Sequence, residues 1–175
     1  MAVLEILTAP HPVLEMRARD VGDDEFGDAL ATRVRDMAET MYAAPGVGLA
    51  APQVGDARRI LVIDSSEKAE RGKRFFALIN PVIVARSAET IDWNETCLSV
   101  PDFECETQRA RQITLSWRNP AGEACNGTFE DYEAVIVQHE LDHLDGTVIL
   151  DKSSLFKRSR YLKKVRAVRQ RTLAR

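Results

Sequence analysis

The sequence predicts an α+β fold: small antiparallel or mixed sheets around a central helix bearing HExxH, with an N-terminal helix and a basic C-terminal helix. Three observations carry that reading. Short apolar runs cluster in the middle of the chain, where a βαβ protein would alternate them with helices. The segment around HExxH is apolar over several turns. Helical periodicity appears at both ends of the chain.

Taken in order, residues 25–42 predict the first helix. Phe26, Leu30, Val34, Met37 and Met41 recur as one stripe, Asp23 or Asp24 can cap its start, and Pro45 and Gly46 stop it. Residues 46–55, GVGLAAPQVG, hold three glycines and a proline, which predicts an irregular loop where backbone approaches something closely. Residues 59–64, 75–79 and 82–85 are short apolar runs between turn residues and predict strands. Residues 113–117 alternate as a half-buried strand does, and NPAG at 119–122 predicts a turn into a partner strand near 125–129. Residues 131–144 predict a buried helix ending near Gly146. A short strand at 147–150 and a basic amphipathic helix at 154–173 complete the chain, the latter with Leu155, Leu162, Val165 and Val168 as its apolar stripe.

The chain has 175 residues, 45% hydrophobic and 29% charged, which suits one soluble globular domain with a real core. No window approaches the roughly 18 consecutive apolar residues of a membrane span. The opening MAVLEIL lacks a basic region, so no secretory signal is expected. Three cysteines at scattered spacings do not form a disulfide framework, and a reducing cytoplasm is the expected setting. Neither a membrane nor DNA is an expected partner. Residues 152–175 hold ten of the 24 basic residues and none of the 27 acidic ones, so a basic appendage follows an acidic body. No repeat or linker divides the chain: residues 1–151 read as the catalytic body and 152–175 as a helix of the same domain.

The most specific local signal is QHELDH at 138–143. On a helix, His139 and His143 lie four apart on one face and can reach one metal ion, while Glu140 beside them can take a proton from water that the metal activates. A catalytic site of this type needs a third protein ligand. Continuing toward the longer pattern HExxHxxGxxH, Gly146 matches but the last histidine is Ile149, and after Asp151 the chain has no His, Cys, Asp or Glu. The third ligand should therefore lie upstream. Candidates are Cys97, Cys105, Cys125, His11 and many carboxylates; Cys97, between a polar turn and Pro101, is the best on local sequence. Cys105 and Cys125 read as ordinary small side chains. A nucleobase deaminase fits poorly, because its downstream PCxxC is absent.

Three segments, GVGLAAPQ (46–53), ETCLS (95–99) and QHELDH (138–143), together with HPVL near the start, resemble the peptide deformylase family in order and spacing over nearly the whole chain. The resemblance implies a hydrolase that removes the N-formyl group from the initiator methionine of nascent polypeptides and releases formate. It implies Cys97, His139 and His143 as ligands of one divalent metal, Fe(II) in the cell, with Zn(II), Ni(II) or Co(II) possible in purified protein. Glu140 would be general base and acid; the Gln53 side chain and the Leu98 N–H would stabilise the oxyanion. Val47 and Gly48 would pair with an extended substrate, and Val47, Trp93, Tyr132, Val135 and Ile136 would wall the methionine slot. Glu95 and Arg109 would form an ion pair beneath the ligands. The basic tail, by charge and by resemblance, would dock on ribosomal RNA. Two departures stand out. The family usually has EGCLS where this chain has Thr96, which would be strained if that backbone were left-handed and would narrow the cleft in any case. Glu104 replaces a residue that can be basic in relatives. The rival readings are an amidohydrolase of the same fold acting on another short N-acyl amide, and a catalytically weakened ribosome-associated metal-binding module.

Overall fold

A computed structural model describes residues 2–173. Ala174 and Arg175, counted above in the basic tail, lie outside the described residues.

The chain forms α1 (Asp28–Ala43), β1 (Gly48–Ala50), β2 (Ile60–Asp64), β3 (Phe75–Arg86), β4 (Thr90–Cys97), β5 (Val100–Ala110), β6 (Gln112–Arg118), β7 (Ala124–Glu130), α2 (Asp131–Leu144), α3 (Ile149–Lys152) and α4 (Leu155–Leu173). Five strands build one sheet in the order β1-β2-β3-β6-β7, and β4 pairs with β5 in a second sheet. Among the described residues every strand pairing is antiparallel, and an isolated bridge between Arg19 and Arg58 is parallel. The expected α+β architecture is observed.

Strand β2 shows how the sequence positions the layers. All five residues are buried, and they alternate in destination: Leu61 and Ile63 join the core under α2, Ile60 and Val62 the core under α1. A strand covered on both faces reads as an unbroken apolar run, and this one does. Helix α1 supplies Leu30, Val34, Met37 and Met41 to its side of the sheet. Helix α2 is buried almost all round, from Ala134 to Leu141, because it also packs on β5 of the second sheet. A third apolar cluster joins that hairpin to the body through Ala9, Leu14, Ile149 and Leu150.

Several expectations need correction. The first helix begins at Asp28; Asp23 and Asp24 lie in an earlier 3-10 turn and do not cap it, because Gly27 breaks the helix between them. The two strands expected at 75–79 and 82–85 are one strand, since Asn80 and Pro81 are absorbed by a register shift. The loop at 46–55 contains strand β1 and a 3-10 turn at Ala51–Val54. Residues 147–150 are not a strand: Val148 ends extended backbone and α3 follows. In α4, Leu162 and Val165 pack inward with Tyr161, whereas Leu155 and Val168 are exposed. The β4–β5 hairpin, which carries Cys97, is not among the strands that the apolar pattern predicts.

Candidate metal centre and catalytic cleft

Helix α2 brings His139 and His143 to one face, as their spacing requires, and the end of β4 brings Cys97 against them. The Cys97 sulfur lies 3.1 Å from His143 Nε2. One ligand atom from each of Cys97, His139 and His143 falls within 4.8 Å of the others, and all three residues are buried. His11 instead accepts from the Val13 N–H, 3.3 Å away, within its own turn. Cys105 is buried in the hairpin's core and Cys125 lies on β7.

The donor set fits a divalent ion. His139 Nδ1 is 2.5 Å from Glu95 Oε2, which leaves Nε2 to face the other ligands. Glu95 is gripped by Arg109 at 2.6 and 2.9 Å and accepts a further hydrogen bond from Thr107. Burial opposes its ionisation, but the hydrogen bonds from His139 and Arg109 outweigh that and hold the carboxyl down at about 2. Arg109 is itself fixed by Asp142 of α2 at 2.7 Å. A chain of charge-assisted bonds thus runs from α2, through the hairpin, and back to His139.

Glu140 is buried, and its Oε2 has no hydrogen-bond partner among the described residues. Burial pushes its carboxyl up to about 7, against the pull of the His139 charge. Gly48 makes room for it: a Cβ there would stand 2.3 Å from Glu140 Oε1 and 2.9 Å from the carboxyl carbon. Gln53 is equally buried. Its Oε1 accepts from the Ala50 N–H at 2.8 Å, which turns Nε2 toward Ser99 Oγ at 3.1 Å and the Cys97 sulfur at 3.8 Å. Leu98 heads the two-residue turn between β4 and β5, and its N–H makes no hydrogen bond among the described residues.

These groups line a cavity of about 440 Å³. Val47, Gly48, Val135 and Ile136 form apolar wall, and Trp93 and Tyr132 stack at its half-open rim with ring centroids 5.1 Å apart. Every residue expected at the site lines this cavity except His143, which is fully buried, and Arg109, which lines a separate cavity behind α2. Thr96 lines it too. Its backbone is extended in β4 and not left-handed, so the conditional strain does not arise. Glu104 pairs with Thr96 across the hairpin and accepts from Asn94 Nδ2 at 2.8 Å. Sequence reasoning missed Ser99, Thr107 and Asp142. Ser99 lies inside the ETCLS segment and Asp142 inside HExxH, so both were within reach; nothing local marks Thr107.

Residues 3–159 match the family model described as Polypeptide deformylase. The peptide deformylase of Desulfotalea psychrophila is 42% identical over 166 residues, covering 95% of this chain and 96% of its own. That of Phenylobacterium zucineum is 41% identical over 167 residues, covering 95% and 96%. Among solved structures, peptide deformylase from Ehrlichia chaffeensis superposes with a TM-score of 0.89 at 35% identity, covering 98% of this chain and 99% of the other. The same organism's enzyme in complex with actinonin gives 0.88 at 37% identity, covering 95% and 98%.

Proposed function

This chain belongs to the peptide deformylase family, and we propose how its residues divide the work of removing the N-formyl group from nascent polypeptides. One observation carries the assignment: buried Cys97, His139 and His143 converge beside a buried carboxylate, Glu140, whose Oε2 has no hydrogen-bond partner among the described residues. The family is metal-dependent, and Cys97, His139 and His143 would hold a divalent ion whose chemistry there would be Lewis acidity. Of the metals that suit one thiolate and two imidazoles, Fe(II) is our choice for the cell, on family grounds.

The remaining work falls to the protein. Glu140 takes the proton of the attacking water as its oxygen bonds to the formyl carbon. It then delivers that proton to the amine nitrogen as the C–N bond breaks, releasing formate and a free N-terminus. A carboxyl near 7 can both accept and donate at neutral pH. Gln53 Nε2 and the Leu98 N–H donate to the oxygen that becomes negative. The Val47 and Gly48 backbone pairs with the extended peptide as an added strand, and Val135 and Ile136 take the methionine side chain below the Trp93–Tyr132 rim. Glu95 and Arg109 hold His139 in place.

Residues 1–151 act as the catalytic body, and the basic helix is a part of the same unit that docks on ribosomal RNA. Lys157, Arg160, Lys163 and Arg166 on the solvent side of α4 support this. Among the described residues no helix is long and apolar enough to cross a membrane, and the cytoplasm is the proposed compartment. Neutralising those four residues should abolish salt-sensitive co-sedimentation with ribosomes; unchanged binding would remove the docking role.

The main test is formate release from formyl-Met-Ala peptides by anaerobically purified, Fe(II)-loaded protein, with acetyl-Met-Ala as competitor substrate and Glu140→Ala as control. Turnover on the formyl peptide, lost in the variant, is expected. Faster turnover on the acetyl peptide would favour the second reading, another short N-acyl amide, for which Thr96 on the cleft wall is the specific observation.

A further inference from the structure

Behind α2, on the side away from the catalytic cleft, lies a second cavity of about 560 Å³. Its wall carries five basic side chains, Arg17, Arg59, Arg86, Arg109 and Lys152, against three carboxylates, Asp20, Asp142 and Asp145. The carboxylates are largely committed. Asp142 is held by Arg109 at 2.7 Å and Lys152 at 3.2 Å, and Asp145 by Arg59 at 2.8 Å. With Glu95, which also holds Arg109, four carboxylates stand against five basic groups; the surplus is one positive charge, carried by Arg17, Arg59 and Arg86 from separate parts of the chain.

Arg59 is the informative one. It is only 9% exposed, yet only its Nη1 makes a short bond to an acid. Its Nε has Asp20 no nearer than 3.8 Å, and its Nη2 reaches the Pro81 carbonyl only at 3.5 Å. A buried guanidinium carries five donors that need acceptors, and here part of the fork opens on the cavity. The side chain of Arg86, at the end of β3, makes no hydrogen bond or ion pair among the described residues, and Arg17 comes no closer than 3.9 Å to Asp145. Planar guanidinium forks converging on one space suit an oxyanion with several acceptor oxygens better than a point anion such as chloride.

We propose that the Arg17–Arg59–Arg86 cavity behind α2 binds a phosphate group, either free phosphate or a phosphate of an RNA backbone. Occupancy would strengthen the C-terminal end of α2, because Arg59 also donates to the Leu144 carbonyl at 3.3 Å. The site is separate from the catalytic cleft and does not depend on what that cleft hydrolyses.

The test uses the metal-loaded enzyme, titrated with sodium phosphate by calorimetry and thermal unfolding, against sodium chloride at matched ionic strength. Wild type should bind one phosphate per chain, and its Tm should rise by roughly 3–6 °C at tenfold excess over Kd. Arg17→Ala/Arg86→Ala, which removes two exposed side chains and leaves the catalytic residues intact, should weaken binding by about tenfold or more. Equal effects of phosphate and chloride, or unchanged phosphate binding in the double variant, would overturn the proposal; the latter would place the anion at the metal. A short single-stranded RNA that competes with phosphate in wild type identifies the source as a nucleic-acid backbone. RNA that does not compete, with phosphate still bound, identifies free phosphate.

Discussion

Helix α2 turns one face to the catalytic cleft and the other to the rear cavity, and the two faces treat polar side chains differently. On the rear face the polar side chains of α2 and its C-cap are paired. Gln138 bonds to both the N–H and the carbonyl of Ala110, Asp142 to Arg109 and Lys152, and Asp145 to Arg59. Among the base and the metal ligands, Glu140 Oε2 and His143 Nδ1 are buried with no hydrogen-bond partner among the described residues. Buried polar atoms are nearly always satisfied, so unsatisfied ones mark the side where the fold gives up stability for chemistry. The rear face holds the helix so that the cleft face can remain unsatisfied.

That contrast can be broken deliberately. Removing the carboxyl on the cleft side, Glu140→Ala, should lower formate release by about a thousandfold while leaving the urea midpoint of the metal-free protein unchanged or higher. A matching loss of stability would mean that Glu140 holds structure after all. The opposite pattern is expected on the rear side. Arg109→Ala removes the guanidinium partner of buried Glu95, leaving it only His139 and Thr107, and should cost about 3–5 kcal/mol in denaturant unfolding. Metal retention during dialysis against a chelator should fall roughly tenfold to a hundredfold.

Gly48→Ala probes the border between the two roles. The new methyl would overlap the Glu140 carboxyl, so kcat should drop by about a hundredfold with Cys97, His139 and His143 still binding one metal per chain. Metal analysis beside the rate would separate displacement of the base from loss of the site.

The smallest effect lies away from α2 and sharpens the comparison through pH. Asp64 is buried at the end of β2; burial opposes its charge, but bonds from Ser66, Tyr42 and the Gly72 N–H win and hold its carboxyl at about 2, below the ordinary 3.8. A lowered pKa contributes stability that is present above pH ~4 and is lost as pH falls through about 2. Asp64→Asn should therefore cost about 1–2 kcal/mol at pH 7, and the gap from wild type should close on acidification toward pH 2. A gap that persists at pH 2 would show that shape, and not charge, is what Asp64 supplies.

The sequence by itself determined what depends on near neighbours. The four-residue step from His139 to His143 is a property of any α-helix, and the unbroken apolar run of β2 marks a strand between two layers. The helix at residues 131–144 was legible for the same reason, and so was the family resemblance, which rests on three contiguous segments. The hairpin β4–β5 was not legible, because TIDWNETC and VPDFECETQRA mix acids and amides at positions where a strand signal would be apolar or β-branched. Its register nevertheless sets Cys97 against His143, Glu95 against His139, and Arg109 between Glu95 and Asp142. Only the tertiary structure decided those contacts. They join residues far apart in the chain, and their geometry comes from how the hairpin docks on α2 and the third apolar cluster, not from any local preference of the residues that make them.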